Sequence, residues 1–186
     1  MSTNVPQFVC DFFSKLRHDK RGSMAIEGAF LLPVFVLLLM GSLVSFHALR
    51  VDWSYTHAAT ALSDIATRQT VINEDTLESF YTTADAIALD DTNLKVSFTS
   101  VSYDEDNENY FVNWSCANVS GARQTTSDIQ DIRFPRMQSG DSVMMVLVEG
   151  AITPIMDIGL SEIVNLSKLS IRRPRFVAQI PDPDCV

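Results

Sequence analysis

The sequence predicts an α+β fold: a long N-terminal helix, transmembrane at its start, that continues into a domain with a second helix and a small antiparallel sheet. Three patterns carry that prediction. Residues 28–46 contain no charged side chain. Apolar residues then recur at helical spacing to about residue 70, and again over 74–89. Beyond Asp90-Asp91 the period falls to two in several short runs, which suits strands. Helical segments followed by strand segments segregate into layers, the α+β arrangement.

The apolar run from Gly28 to Phe46, GAFLLPVFVLLLMGSLVSF, is 19 residues long. At about 1.5 Å of rise per residue it roughly matches a ~30 Å hydrocarbon core. Pro33 lies inside it and removes one intrahelical hydrogen bond. Its two readings are a bend used when the helix changes surroundings and the ordinary tolerance of membrane helices for proline. Past the run, Val51, Tyr55, Ala58, Leu62 and Ile65 recur on one helical face, with Asp52, Asp64 and Arg68 elsewhere around the cylinder. Trp53 and Tyr55 stand where amphipathic rings suit the headgroup level.

A second helix is expected from Glu74 to about Leu89. Asp75 and Glu78 have capping-box spacing, and Leu77, Phe80, Tyr81, Ala84 and Ala88 form its apolar stripe. Leu94, Val96 and Phe98 alternate with polar residues in a first strand, and Tyr110, Val112 and Trp114 do so in a second. The polar stretch YDEDNEN between them reads as a hairpin loop. Val143–Val148 reads as a central strand, and Leu169 and Ile171 mark a fourth. Residues 117–140, rich in Ser, Thr, Gln and Asp, read as a long loop. The resulting division is a leader (1–22), a transmembrane helix (23–49), its continuation (50–70) and an α+β domain (71–186).

Charge is distributed unevenly along the 186 residues, whose formal net charge is −9. Residues 1–22 carry four basic and two acidic side chains, whereas the remainder carries 10 basic and 21 acidic, a net of −11. Basic residues beside the start of an apolar helix hold that end in the cytoplasm, so the acidic domain is expected outside. The cysteines divide across the same boundary, with Cys10 in the leader and Cys116 and Cys185 on the outer side. In an oxidising compartment the latter pair is a disulfide candidate that would tie the segment IPDPDCV to a strand end; the alternative is two unrelated thiols.

Glu27 interrupts this picture. A carboxylate inside a membrane helix costs about 2.5–3.5 kcal/mol on insertion scales, so it calls for a partner or a purpose. It stands five residues after Gly22, which closes a basic stretch, Lys20-Arg21-Gly22, followed by Ser23. A basic leader ending in glycine, a small residue after it and glutamate at the fifth position beyond resemble type IV prepilins. Followed by a Leu/Val/Phe run with an early proline, the pattern resembles most the TadE-like pseudopilins of tight-adherence pili. The resemblance covers roughly Lys20 to Thr70. Major pilins of these systems usually carry an aromatic residue after the glutamate; Gly28 here points to a minor pseudopilin.

The resemblance implies cleavage between Gly22 and Ser23 by a prepilin peptidase, with Glu27 as the assembly carboxylate. A freed α-amino group on Ser23, or that of a neighbouring subunit, would then pair with Glu27, offsetting its desolvation. It further implies other pilins and pseudopilins and an inner-membrane assembly platform as partners, with the chain held in the bilayer of a bacterial inner membrane, its N-terminus cytoplasmic and its domain periplasmic. Two other readings of the N-terminus remain. A secretory signal peptide has a shorter apolar core of 7–15 residues and avoids internal charge. An uncleaved bitopic anchor explains length and orientation and would present the acidic domain for binding or sensing.

Other motifs carry less. Asp104, Asp106 and Glu108 alternate like the start of a calcium loop, but Asn109 and Ser115 stand where its glycine and bidentate glutamate belong, so a solvated turn is the default. His18, His47 and His57 form no metal-ligand cluster, and no cofactor is expected. No nucleophile elbow or phosphate-binding glycine loop occurs, so an enzyme is not expected. Arg172, Arg173 and Arg175 make a basic cluster on an acidic domain. Nucleic acid is excluded as its partner by the surrounding charge, leaving a solvated strand end or a docking patch for an acidic neighbouring subunit.

Overall fold

The computed structural model describes residues 22–88, 94–152, 164–183 and 185. It is an α+β fold: two helices, α1 (Gly22–Ala66) and α2 (Glu74–Ile87), and one four-stranded antiparallel sheet. The chain divides into two units, Met1–Ser45 and Phe46–Val186. The described part of the first is the opening half of α1 alone. The second contains everything else.

Within the second unit, α1 buries Tyr55, Ala58, Ala59, Leu62 and Ala66, a stripe at three- and four-residue spacing. Ile65, expected on that stripe, is 38% exposed. The residue one turn beyond Leu62 is Ala66; size favoured Ile65, but angular position decides. Tyr55, expected at a headgroup level, is a core residue instead. Its ring covers Gly150, where an added Cβ would come within 2.7 Å of two phenol carbons. Trp53 on the other side is exposed.

Helix α2 starts at Asn73, whose Oδ1 accepts from the Thr76 N–H at 3.0 Å. Asn73, two residues ahead of the expected Asp75, is therefore the cap, and Glu74 and Asp75 fall in the first turn where the macrodipole favours them. Leu77, Phe80, Ala84 and Ala88 point into the core as expected, with Tyr81 partly buried against it. Phe80 and Tyr81 both pack on Phe98, at centroid distances of 5.5 and 5.9 Å. Burial pushes the Tyr81 phenol up to about 12, with Arg123 acting weakly against it.

The strands are β1 (Lys95–Asp104), β2 (Asn109–Ala117), β3 (Ser142–Ile152) and β4 (Val164–Arg172), in the order β2-β1-β3-β4. The expected alternation in β2 is broken. Ser100 pairs with Trp114 but Val101 pairs with Val112, so Asn113 is an extra residue, a β-bulge. Trp114 and Cys116 consequently face the helices, whereas Tyr110 and Val112 face the other side. Asn113 Nδ2 donates to Ser102 Oγ at 2.7 Å, holding the bulge.

That other side has a core of its own. Val101, Val143 and Met145 pack with Ile129 and Met137, and Phe134 lies 4.7 Å from the Tyr110 ring. The segment 117–140, expected as a loop, is a cover: irregular apart from one 3-10 turn (Ser120–Ala122), yet anchored by buried apolar residues. The sheet is therefore packed on both faces, which explains why Ser97 and Thr99 of β1 are buried along with Val96 and Phe98.

Residues 173–183 close the helix side. Ile180 is fully buried, and its carbonyl accepts from Trp114 Nε1 at 2.9 Å. Ser142 Oγ donates to the Ala178 carbonyl at 2.6 Å, and the Arg175 N–H donates to the Thr67 carbonyl at 2.9 Å.

Candidate functional site

The first half of α1 presents apolar side chains on every side. Phe30, Leu37 and Leu38 are each about two-thirds or more exposed, at 76%, 66% and 65%, and Phe35 and Leu32 are similar. A helix without a polar face suits a buried or lipid environment, because water would hydrate a surface it cannot hydrogen-bond. This helix is long and apolar enough to cross a membrane once. Its backbone hydrogen bonds are made within the segment, the condition for a lipid-exposed span.

Gly22 is the first residue of α1, and Ser23 follows in the same turn; the Ser23 side chain lies outside the described residues. Glu27 sits in the second turn and is exposed, flanked by Ile26 and Gly28. A Cβ added at Gly28 would meet nothing within 4 Å. Pro33 lies within the helix, which continues through it to Ala66. Gly22, Ser23 and Glu27 thus share the first two turns of one helix.

Cys116 and Cys185 stand at disulfide distance, with Cα atoms 5.8 Å apart across a sequence separation of 69. Cys116 is fully buried beside Trp114 on the helix-facing side of β2, so the bridge fastens Cys185, and with it the segment 173–183, over the core.

The three arginines from the β4 end turn back onto the chain. Arg175 Nη2 lies 2.6 Å and Arg172 Nη1 3.5 Å from Asp64 Oδ1, while Arg68 takes Asp64 Oδ2 at 2.8 Å. The Arg68 hydrogen bond, with its charge and those of Arg175 and Arg172, holds the Asp64 carboxyl below its ordinary value, outweighing partial desolvation. Arg173 pairs with Asp141 at 3.4 Å and also donates to the Arg136 carbonyl. Lys168 of β4 meets Asp52 of α1 at 2.7 Å. Asp52 and Asp64 are twelve residues apart on one helix, so two acids tie α1 to β4; neither role was apparent from local sequence.

At the β1–β2 turn, Asp104 accepts from Asn107 Nδ2 at 2.6 Å and from the Asp106 N–H at 3.0 Å. These bonds lower its pKa, the Asn107 one most. That is a self-satisfied turn, and among the described residues no group of three or more His, Cys, Asp or Glu side chains could hold a metal ion. The chain was compared with protein-family models, curated proteins and solved structures, and none of them matches.

Proposed function

We propose that this chain is a TadE-like minor pseudopilin of a tight-adherence pilus, cleaved between Gly22 and Ser23 and used in assembling or initiating the fibre. The observation that carries the reading is the placement of one carboxylate, Glu27, in the second turn of an otherwise apolar, membrane-length helix that opens at Gly22. A carboxylate there is costly in lipid unless paired. An α-amino group freed at Ser23 is a charge of the right sign within one or two turns. Glu27 then serves as a register mark between helices rather than as a catalytic base.

In this reading the chain sits in a bacterial inner membrane, N-terminus inside and domain in the periplasm, with a prepilin peptidase, other pilins and pseudopilins and an assembly platform as partners. The disulfide-distance pair Cys116–Cys185 suits the oxidising side of that membrane.

The test is the N-terminal residue of membrane-extracted protein, with and without a co-expressed prepilin peptidase. A start at Ser23 that depends on the peptidase is expected. A start at Met1 under both conditions would overturn it and leave an uncleaved bitopic anchor that presents the acidic domain.

A further inference from the structure

Two oppositely charged elements of the second unit make no ion pair with each other among the described residues. The first is the arginine cluster. Arg68, Arg172, Arg173 and Arg175 share two carboxylates, Asp64 and Asp141, through four ion pairs. The balance is two positive charges in excess, and the four side chains keep 42–55% of their surface exposed. Guanidinium groups gathered on one carboxylate repel each other, and a further anion would relieve that repulsion. The second element is the β1–β2 hairpin tip, with Asp104, Glu105, Asp106 and Glu108. Among the described residues no ion pair reaches it.

The sheet register fixes where the two lie. Ser102 of β1 pairs with Ser142 of β3, and Met144 of β3 pairs with Arg172 of β4. The hairpin tip and Arg172 therefore share one end of the sheet but occupy its opposite edges, β2 and β4. The tip joins β1 to β2, two to three strand spacings or roughly 10–14 Å from β4, and among the described residues no ion pair links it to the arginines. The backbone adds a third observation: Glu108 has φ +49°. That left-handed conformation favours glycine or asparagine and fixes the turn at the tip.

We propose that the hairpin tip of one copy docks on the arginine cluster of the next, joining copies edge to edge along the sheet. Repeated in one direction along the sheet edges, the contact is heterologous and leaves a free tip and a free cluster at the ends of any row of copies. A two-fold pair that docked each tip on the other copy's cluster would close at a dimer, so a ladder of products distinguishes the open arrangement. The inference stands apart from the processing pathway, because an uncleaved anchored domain would associate in the same way.

The test uses the full-length chain with Cys10→Ser, reconstituted in phosphatidylcholine vesicles and treated with a short bis-maleimide. The Cys116–Cys185 bridge is inert to this reagent, as the parent without added cysteine verifies. Copies carrying Asp106→Cys are mixed with copies carrying Arg172→Cys. The 106–172 product should exceed the 106–106 and 172–172 products about tenfold, and adding Glu105→Lys should lower it by a similar factor. A chain carrying both cysteines should give a ladder of products rather than a dimer alone. Glu105 and Asp106 lie in an exposed turn, so these changes leave the fold intact. Equal yields of the three pairs, a dominant 106–106 product, or indifference to Glu105→Lys would each overturn the proposal.

Discussion

The two halves of α1 are both rich in apolar residues, yet they solve different problems. In residues 26–39 the large side chains point outward in every direction and none has a core to enter. In residues 51–66 the buried residues keep to one side: Tyr55, Leu62 and Ala66 disappear into the domain, Trp53 and Ile65 stay exposed, and Asp52 and Asp64 pair with Lys168 and Arg172 of β4. Composition alone would rate the first half as the more strongly buried. Angular arrangement reverses that within a water-soluble body, because only a one-sided helix can bury its apolar surface and keep its polar groups wet. An all-round apolar helix needs a different solvent.

The sharpest way to break this comparison is a matched pair of truncations. Leu62→Ala should destabilise the domain by about 2–5 kcal/mol, and Leu37→Ala should leave it within about 0.5 kcal/mol of the parent. Urea unfolding of the full chain in micelles can be followed by Trp114 fluorescence after Trp53→Phe removes the other tryptophan. Comparable losses from both changes would mean that the two halves are not distinct environments. A smaller effect is expected where α1 touches the sheet. Gly150→Ala drives a methyl into the Tyr55 phenol and should cost about 1–3 kcal/mol, with Tyr55→Phe in the same chain recovering part of it. An unchanged unfolding midpoint would show that Tyr55 does not lie over β3.

The smallest effect concerns the acid that ties helix to strand. Asp64 is held below its ordinary value of 3.8, chiefly by the Arg68 hydrogen bond. Its stabilisation is therefore complete above the unfolded carboxylate range and is lost as pH falls through the lowered folded value. Asp64→Asn should make stability flatter below about pH 4, where carboxylates titrate. An acid limb identical to the parent's would show that the arginines gain nothing from Asp64.

Much of this architecture was legible in the residues. The extent of α1, the existence of α2 and the positions of all four strands followed from periodicity, and the Cys116–Cys185 pairing from charge topology and thiol count. What escaped has a common physical cause. The Asn113 bulge turns β2 from one face to the other, and a period-two pattern carries no mark of one inserted residue. The cover over the second core contributes Ile129, Phe134 and Met137 at irregular intervals, so polar residues dominate its appearance. The arginine cluster was visible as charge, but its partner Asp64 lies over a hundred residues earlier, and only the fold brings them together. Gly22, Ser23 and Glu27 could be placed together from sequence because all three lie in the first two turns of one helix.

Residues 173–185 touch parts of the domain that are synthesised well before them: Thr67 in α1's trailing turn, Trp114 and Cys116 in β2, and Ser142 in β3. On a chain that emerges vectorially, none of these contacts can form until at least residue 175 has been delivered. By then α1 has long been synthesised, while Trp114 and the underside of the sheet wait uncovered. Completion of α1 and closure of the domain are thus separated in time by more than a hundred residues of synthesis. That interval is when Cys116 stands without Cys185, and when a chaperone holding the open sheet would matter most.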